Sequence, residues 1–133
     1  MHYTQEYWDD VSNVIGNIPN IEKLDGKTIL ITGATGMVCS SVIDVIAWMN
    51  HHRDAGINLM LAGRNKEKIA SRFDDVLSQD EYQFIEYDAT KNQRLNLRVN
   101  FIIHGAGSVC VFHRLMLIHM AAIIFICMEA IMV

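Results

Sequence analysis

The spacing of apolar and polar positions changes period several times along the chain, and each change marks an element. Residues 3–18 place Tyr3, Tyr7, Val11, Ile15 and Ile18 at helical spacing, with Asp9 and Asp10 off the stripe. The pattern predicts an amphipathic helix laid against a domain, stopped by Pro19-Asn20. Leu24-Asp25-Gly26 then turns the chain into Thr28-Ile-Leu-Ile-Thr32, an apolar, β-branched run suited to a parallel strand covered on both faces. Residues 37–50 carry Val38, Val42, Ile43, Val45, Ile46 and Met49, a wide apolar face for covering a sheet, and 51–56 read as a helix end and loop. A second strand is predicted over 57–62, a second helix over 66–77 with Ile69, Phe73, Val76 and Leu77 on one side, a third strand over 82–87 and a fourth over 99–104. Strands alternating with helices through short connections are the order of a parallel sheet with right-handed crossovers.

Chemistry enters at the turn after the first strand, Gly33-Ala34-Thr35-Gly36. Gly33 permits a tight reversal. Gly36 leaves room for backbone to approach a diphosphate, whose charge is favoured by the N–H groups and dipole at a helix start. Dinucleotide-binding turns carry a third glycine three residues on, where helix and strand pack closely, and here that position is Cys39, small and apolar enough to be tolerated.

In open parallel sheets ligands lie beyond the carboxyl ends of the strands. The second strand ends in Gly63-Arg64-Asn65, which puts a guanidinium where NAD-specific proteins place a ribose-binding carboxylate and so suits the 2′-phosphate of NADP. The third ends in Asp88, positioned for an adenine amino group, and the fourth in Gly105-Ala106-Gly107, small enough to let a cofactor pass close to backbone. Each of these is an ordinary turn residue when taken singly; their order after four strands is what favours a dinucleotide.

Charge and composition narrow the picture further. A net charge of -4 gives no reason to expect a nucleic-acid partner. Cys39, Cys110 and Cys127 lie far apart with no Cys-x-x-Cys pair, which speaks against a zinc site or disulfide framework and suits a reducing cytoplasm. The acidic, aromatic N-terminus is no signal peptide. His51 and His52 are adjacent but point different ways on a helix, with no spaced carboxylate or cysteine to join them, so no metal site is expected.

The stretches TGATGMVCS, LAGRN, YDAT and FIIHGAG, in that order, resemble the N-terminal half of an extended short-chain dehydrogenase/reductase, and more narrowly the NAD-dependent epimerase/dehydratase group acting on nucleotide sugars. The resemblance spans about residues 24–108. It implies a Rossmann-type doubly wound parallel sheet, incomplete at about four strands, with Gly33, Thr35, Gly36, Met37 and Val38 around the diphosphate of NADP or NAD. It also implies Arg64 at the adenosine ribose, Asp88 and Ala89 at the adenine, and Gly105, Ala106 and Gly107 along the nicotinamide side. Enzymes of the group use a Tyr-x-x-x-Lys pair on a later helix, in which the lysine lowers the pKa of the phenol that acts as base. This chain has no tyrosine after Tyr87 and no lysine after Lys91. No catalytic residue is assigned, Ser108 included, and the chain alone is expected to be inactive.

Three parts result: a helix and linker over 1–24, a dinucleotide-binding half-domain over 25–108, and an apolar tail over 109–133. From Phe101 onward only Arg114 and Glu129 carry formal charge, and the tail holds four of the eight methionines. It reads as helical and apolar on every face. Three readings stand open for it: a truncated or frame-shifted end, a buried helix or dimer contact, and a membrane anchor over 115–133, long enough to span with Arg114 before it. The apolar edge of the fourth strand invites a homodimer unless the tail covers it. A non-catalytic dinucleotide-binding or dimerising module and a tail-anchored protein are the alternative functions.

Overall fold

A computed structural model describes residues 3–106, so Gly107, Ser108 and the tail, with the three readings of it, lie outside the described residues. The elements in order are α1 (Gln5–Asn17), a 3-10 turn (Ile21–Leu24), β1 (Thr28–Thr32), α2 (Met37–Arg53), β2 (Asn58–Gly63), α3 (Lys66–Phe73), β3 (Tyr82–Glu86) and β4 (Phe101–His104). The four strands form one parallel sheet in the order β3-β2-β1-β4. The chain is thus α/β with a Rossmann-like arrangement. Among the described residues no helix is long and apolar enough to cross a membrane.

The register explains why the strand sequences read as they do. Ile29 stands beside Leu59 and Phe101, and Leu59 beside Tyr82; Ile31 stands beside Leu61 and Ile103, and Leu61 beside Phe84. These two rows belong to the core that also takes Ile43, Ile46 and Met49 of α2, Ile69 and Phe73 of α3, and Val11 and Ile15 of α1. Each such side chain contributes about 1.5–3 kcal/mol by leaving water, so the rows outweigh any single polar contact in holding the layers. Leu30, at the centre of the other face, is 5% exposed yet stands outside that core; its neighbour in β4, Ile102, is 44% exposed.

Several boundaries differ from the sequence reading, each for a local reason. The helix expected over 37–50 runs on to Arg53 and ends where Asp54 turns left-handed at φ 49°, its N–H bonded to the Met49 carbonyl. The helix expected to reach Leu77 stops at Phe73: Val76 N–H reaches the Phe73 carbonyl only three residues back, a 3-10-type tightening that closes the helix into a turn, and Val76 and Leu77 are buried in the core. The fourth strand begins at Phe101 rather than 99: Asn100 brackets Thr28 instead, its N–H donating to the Thr28 carbonyl and its Oδ1 accepting from Thr28 N at 2.8 Å. Ile18 caps α1 and is 42% exposed, so it is not part of the buried stripe; Ile21, in the 3-10 turn, is buried instead.

One buried polar cluster ties the helices together. Asp44 of α2 is 1% exposed, and both its carboxylate oxygens are filled: Tyr3 donates to Oδ1 at 3.2 Å and Tyr7 to Oδ2 at 2.6 Å. Arg72 of α3 donates through Nη1 to the Tyr3 oxygen at 2.6 Å. Burial pushes the Asp44 carboxyl up from its ordinary value, overcoming the downward pull of the two phenols and the guanidinium. The Tyr7 phenol is also pushed up, by burial and then by the bond it donates to Asp44.

A carboxyl whose folded-state pKa lies above its unfolded one contributes stability that is complete below the unfolded value, near 3.8, and is lost as pH rises through the raised value. Wild type should therefore lose stability relative to Asp44→Asn as pH rises from about 4 to 7. Urea unfolding of both proteins across that range reads the difference, and parallel pH profiles would contradict it.

Candidate functional site

In the order β3-β2-β1-β4 the chain steps from β1 to β2 on one side, while β4 lies on the other side of β1, so the carboxyl ends of β1 and β4 meet at the point where the strand order changes direction. A groove of about 430 Å³ lies at this end. The glycine turn supplies its floor. Gly33, at φ 71°, sits so close to the β4 end that a Cβ on it would lie 2.5 Å from the Gly105 carbonyl carbon and 2.7 Å from Ala106 N. No side chain larger than hydrogen fits there.

Gly36 is the N-cap of α2 and has no side chain to bond the first-turn N–H groups. A 17-residue helix thus points an N-terminus without a side-chain cap at the groove, next to the Gly33 turn. The turn is closed by the bond from Gly36 N to the Gly33 carbonyl at 2.9 Å. A Cβ on Gly36 would meet that same oxygen at 3.1 Å, so the turn is tight on both of its glycines.

Cys39 answers the question left by the missing third glycine. It is buried, its thiol donates to the Thr32 carbonyl at 3.6 Å, and a Cβ on Gly105 would run into its sulfur. The close approach survives because the smallness required at this junction is supplied by Gly105, just past the end of β4. Burial pushes the Cys39 thiol up, which keeps it protonated and unreactive. Thr32 completes the junction: its carbonyl accepts from Gly105 N at 3.0 Å, its hydroxyl oxygen accepts from Ala106 N at 3.3 Å, and the same hydroxyl lies 2.7 Å from His104 Nδ1.

At the β2 end, Arg64, Asn65 and Lys68 form the far wall, with Gly63 and Ile69 behind them. Asn65 caps α3, its Oδ1 accepting from Lys68 N at 2.7 Å, and this bond fixes where Lys68 starts on the helix. At the β3 end Asp88 Oδ1 is already engaged by Thr90, from N at 3.0 Å and from the hydroxyl at 2.7 Å, while Oδ2 lies 3.7 Å from the Lys91 ammonium. The Thr90 hydrogen bonds, with help from Lys91 and Arg64, hold the Asp88 carboxyl below its ordinary value, so it is an acceptor at neutral pH.

Of the residues singled out from sequence, Gly33, Thr35, Gly36, Arg64, Asp88, Ala89, Gly105 and Ala106 line this one groove. Met37 and Val38 do not: they are 83% and 47% exposed on the first turn of α2. Gly107 lies outside the described residues. Lys68 and Tyr87 line the groove without having been singled out. The signal for Lys68 was its place three residues after a capping Asn at a strand end. Tyr87 and Lys91 have the four-residue spacing of a Tyr-x-x-x-Lys pair, but they sit on the turn after β3 and not on a helix, and Lys91 is turned to Asp88.

The chain matches no protein-family model, no curated protein and no solved structure. The geometry above therefore carries the functional reading.

The steric exchange between Cys39 and Gly105 makes a double-mutant cycle decisive. Gly105→Ala should cost about 1–3 kcal/mol as an overpacked site, and Cys39→Gly should recover part of that loss when combined with it. Thermal melts of the two single variants and the double variant measure the coupling; strictly additive losses would rule the exchange out.

Proposed function

We propose that residues 25–108 are the cofactor-binding part of an oxidoreductase of the epimerase/dehydratase kind, acting on nucleotide sugars and taking NADP in preference to NAD. The observation that carries this reading is the pairing of a helix N-terminus lacking a side-chain cap with two glycines, Gly33 and Gly105, whose missing Cβ atoms leave the groove floor bare backbone. A diphosphate needs such a floor: N–H donors, a favourable dipole and no side chain in the way. The fit extends to both ends. Arg64 and Lys68 offer two cations on the wall where an adenosine ribose would lie, which favours a ribose carrying a 2′-phosphate. The ionised Asp88 keeps acceptor capacity for an exocyclic amine.

When bound, the nicotinamide ring would supply hydride transfer to and from a sugar carbon. This chain's residues bind and orient: the Gly33 turn and α2 would hold the diphosphate, Arg64 and Lys68 the ribose phosphate, Asp88 and Ala89 the adenine. Beyond β4 no tyrosine or lysine stands ready to move a proton, so these 133 residues are expected to bind without turning over a sugar nucleotide.

Calorimetric titration of the chain with NADP⁺ and NAD⁺ tests the reading. Both should bind, NADP⁺ more tightly. Gly36→Asp should abolish both by placing a carboxylate against the diphosphate. Arg64→Ala should weaken NADP⁺ by about tenfold or more, the worth of a charge-assisted bond to phosphate, and leave NAD⁺ within about twofold. No heat from either dinucleotide would overturn the proposal.

A further inference from the structure

The groove wall formed by α3 is a helix of only eight residues, and it is held at two ends by different means. Its N-terminal end carries the groove residues: Asn65 caps it, Lys68 faces the groove, and the Ile69 side chain lies against Gly63, where a Cβ would meet Cδ1 at 3.0 Å. One turn beyond Lys68, at the i+4 position, is Arg72, whose Nη1 donates to the Tyr3 hydroxyl at 2.6 Å. The Arg72 guanidinium also lies 5.8 Å from the Tyr3 ring centre and 5.1 Å from that of the buried Phe73. So the side chain one turn below the groove cation is bonded to a residue outside the sheet-and-helix unit, at the start of α1.

Tyr3 is itself tightly placed. Thr4 caps α1, its hydroxyl accepting from Tyr7 N, and Tyr3, just before that cap, packs on Trp8 with ring centres 5.2 Å apart. This is the staple that fixes the entry angle of a helix. Tyr3 also stacks on Tyr7 at 4.7 Å, and its hydroxyl donates to the buried Asp44 of α2 at 3.2 Å. A single phenol oxygen therefore joins three helices: it belongs to the lead-in of α1, donates to α2 and accepts from α3. The Tyr7 hydroxyl, by contrast, donates to Asp44 of α2 and not to Arg72.

We infer that Tyr3 is a positioning residue for the dinucleotide groove: its hydroxyl, through Arg72, holds α3 in the register that aims Lys68 and Asn65 into the groove, so docking of α1 and binding of ligand at the α3 wall favour one another. The inference rests on the dinucleotide reading of the groove. Because coupling between two equilibria is reciprocal, it has two faces: loss of the Tyr3 hydroxyl weakens binding, and bound ligand tightens α1.

Two variants and one exchange experiment test it in the full chain, with NADP⁺ as the probe and calorimetry under conditions where every variant is folded. Tyr3→Phe keeps the ring stacking but removes the shared oxygen; it should raise the Kd for NADP⁺ about fivefold, the lower end of couplings between sites. Tyr7→Phe removes an equally buried hydroxyl and should lower the melting temperature while leaving the Kd within about twofold. In wild type, saturating NADP⁺ should slow hydrogen exchange of the α1 amides, and in Tyr3→Phe it should not. A merely structural Tyr3 would lower stability in both variants and move neither the affinity nor the ligand-dependent exchange, and that result overturns the inference. If wild type binds no dinucleotide, the underlying reading fails, and this inference with it. Binding by wild type that is unchanged in Tyr3→Phe sinks the coupling alone.

Discussion

The structure hangs on one close approach of backbone to backbone, where the turn leaving β1 passes the end of β4. Gly33 and Gly105 touch there with nothing between them, and the Cys39 sulfur closes the remaining space from α2. Because interiors are packed to crystal-like density, volume added to one member must be removed from another. Cys39 in place of a glycine is therefore not a lapse in the pattern but one half of an arrangement whose other half, Gly105, lies just past β4, sixty-six positions on. The same contact brings the α2 N-terminus, the β1 turn and the β4 end to one crevice, so packing and the shape of the groove share a cause.

Electrostatics divides the molecule in a complementary way. The groove is open, and its charged groups, Arg64, Lys68 and Asp88, are set by local turn chemistry at the strand ends. The buried charge, Asp44, lies among the helices, where it is satisfied by two phenols. A carboxylate there without those donors would be costly, so the N-terminal helix completes the domain rather than decorating it.

Much of this was legible in the sequence because the strands announce themselves. Thr28–Thr32 is observed as read, and the glycine turn leads into α2 as its residues require. The parallel order followed from alternation of element types. The helix ends were less legible, since Asp54 turning left-handed and Val76 and Leu77 folding back are decisions of a single φ or of burial in the core. Met37 and Val38, put at the diphosphate by the family resemblance, open α2 with exposed side chains. Lys68 was passed over because its relevance depends on the cap three residues earlier. The Tyr3–Asp44–Arg72 cluster joins positions far apart in the chain, and no local pattern points to such a meeting.

The sheet topology also dictates an order of events while the chain is being made. β1, β2 and β3 are consecutive and can pair as soon as each leaves the ribosome, whereas β1 must wait for β4, its partner across a separation of seventy-two positions in the Thr28–Asn100 and Thr32–His104 contacts. Until then one side of the central strand, Ile29 to Thr32, presents open N–H and carbonyl groups on an apolar segment. Nascent chains stalled short of residue 101 would be sticky along that line, and slow translation through residues 87–100 would lengthen the exposure. That connection is polar and helix-free, with Lys91, Asn92, Gln93 and Arg94 all exposed, so the stretch synthesised while the edge is bare adds little apolar surface of its own.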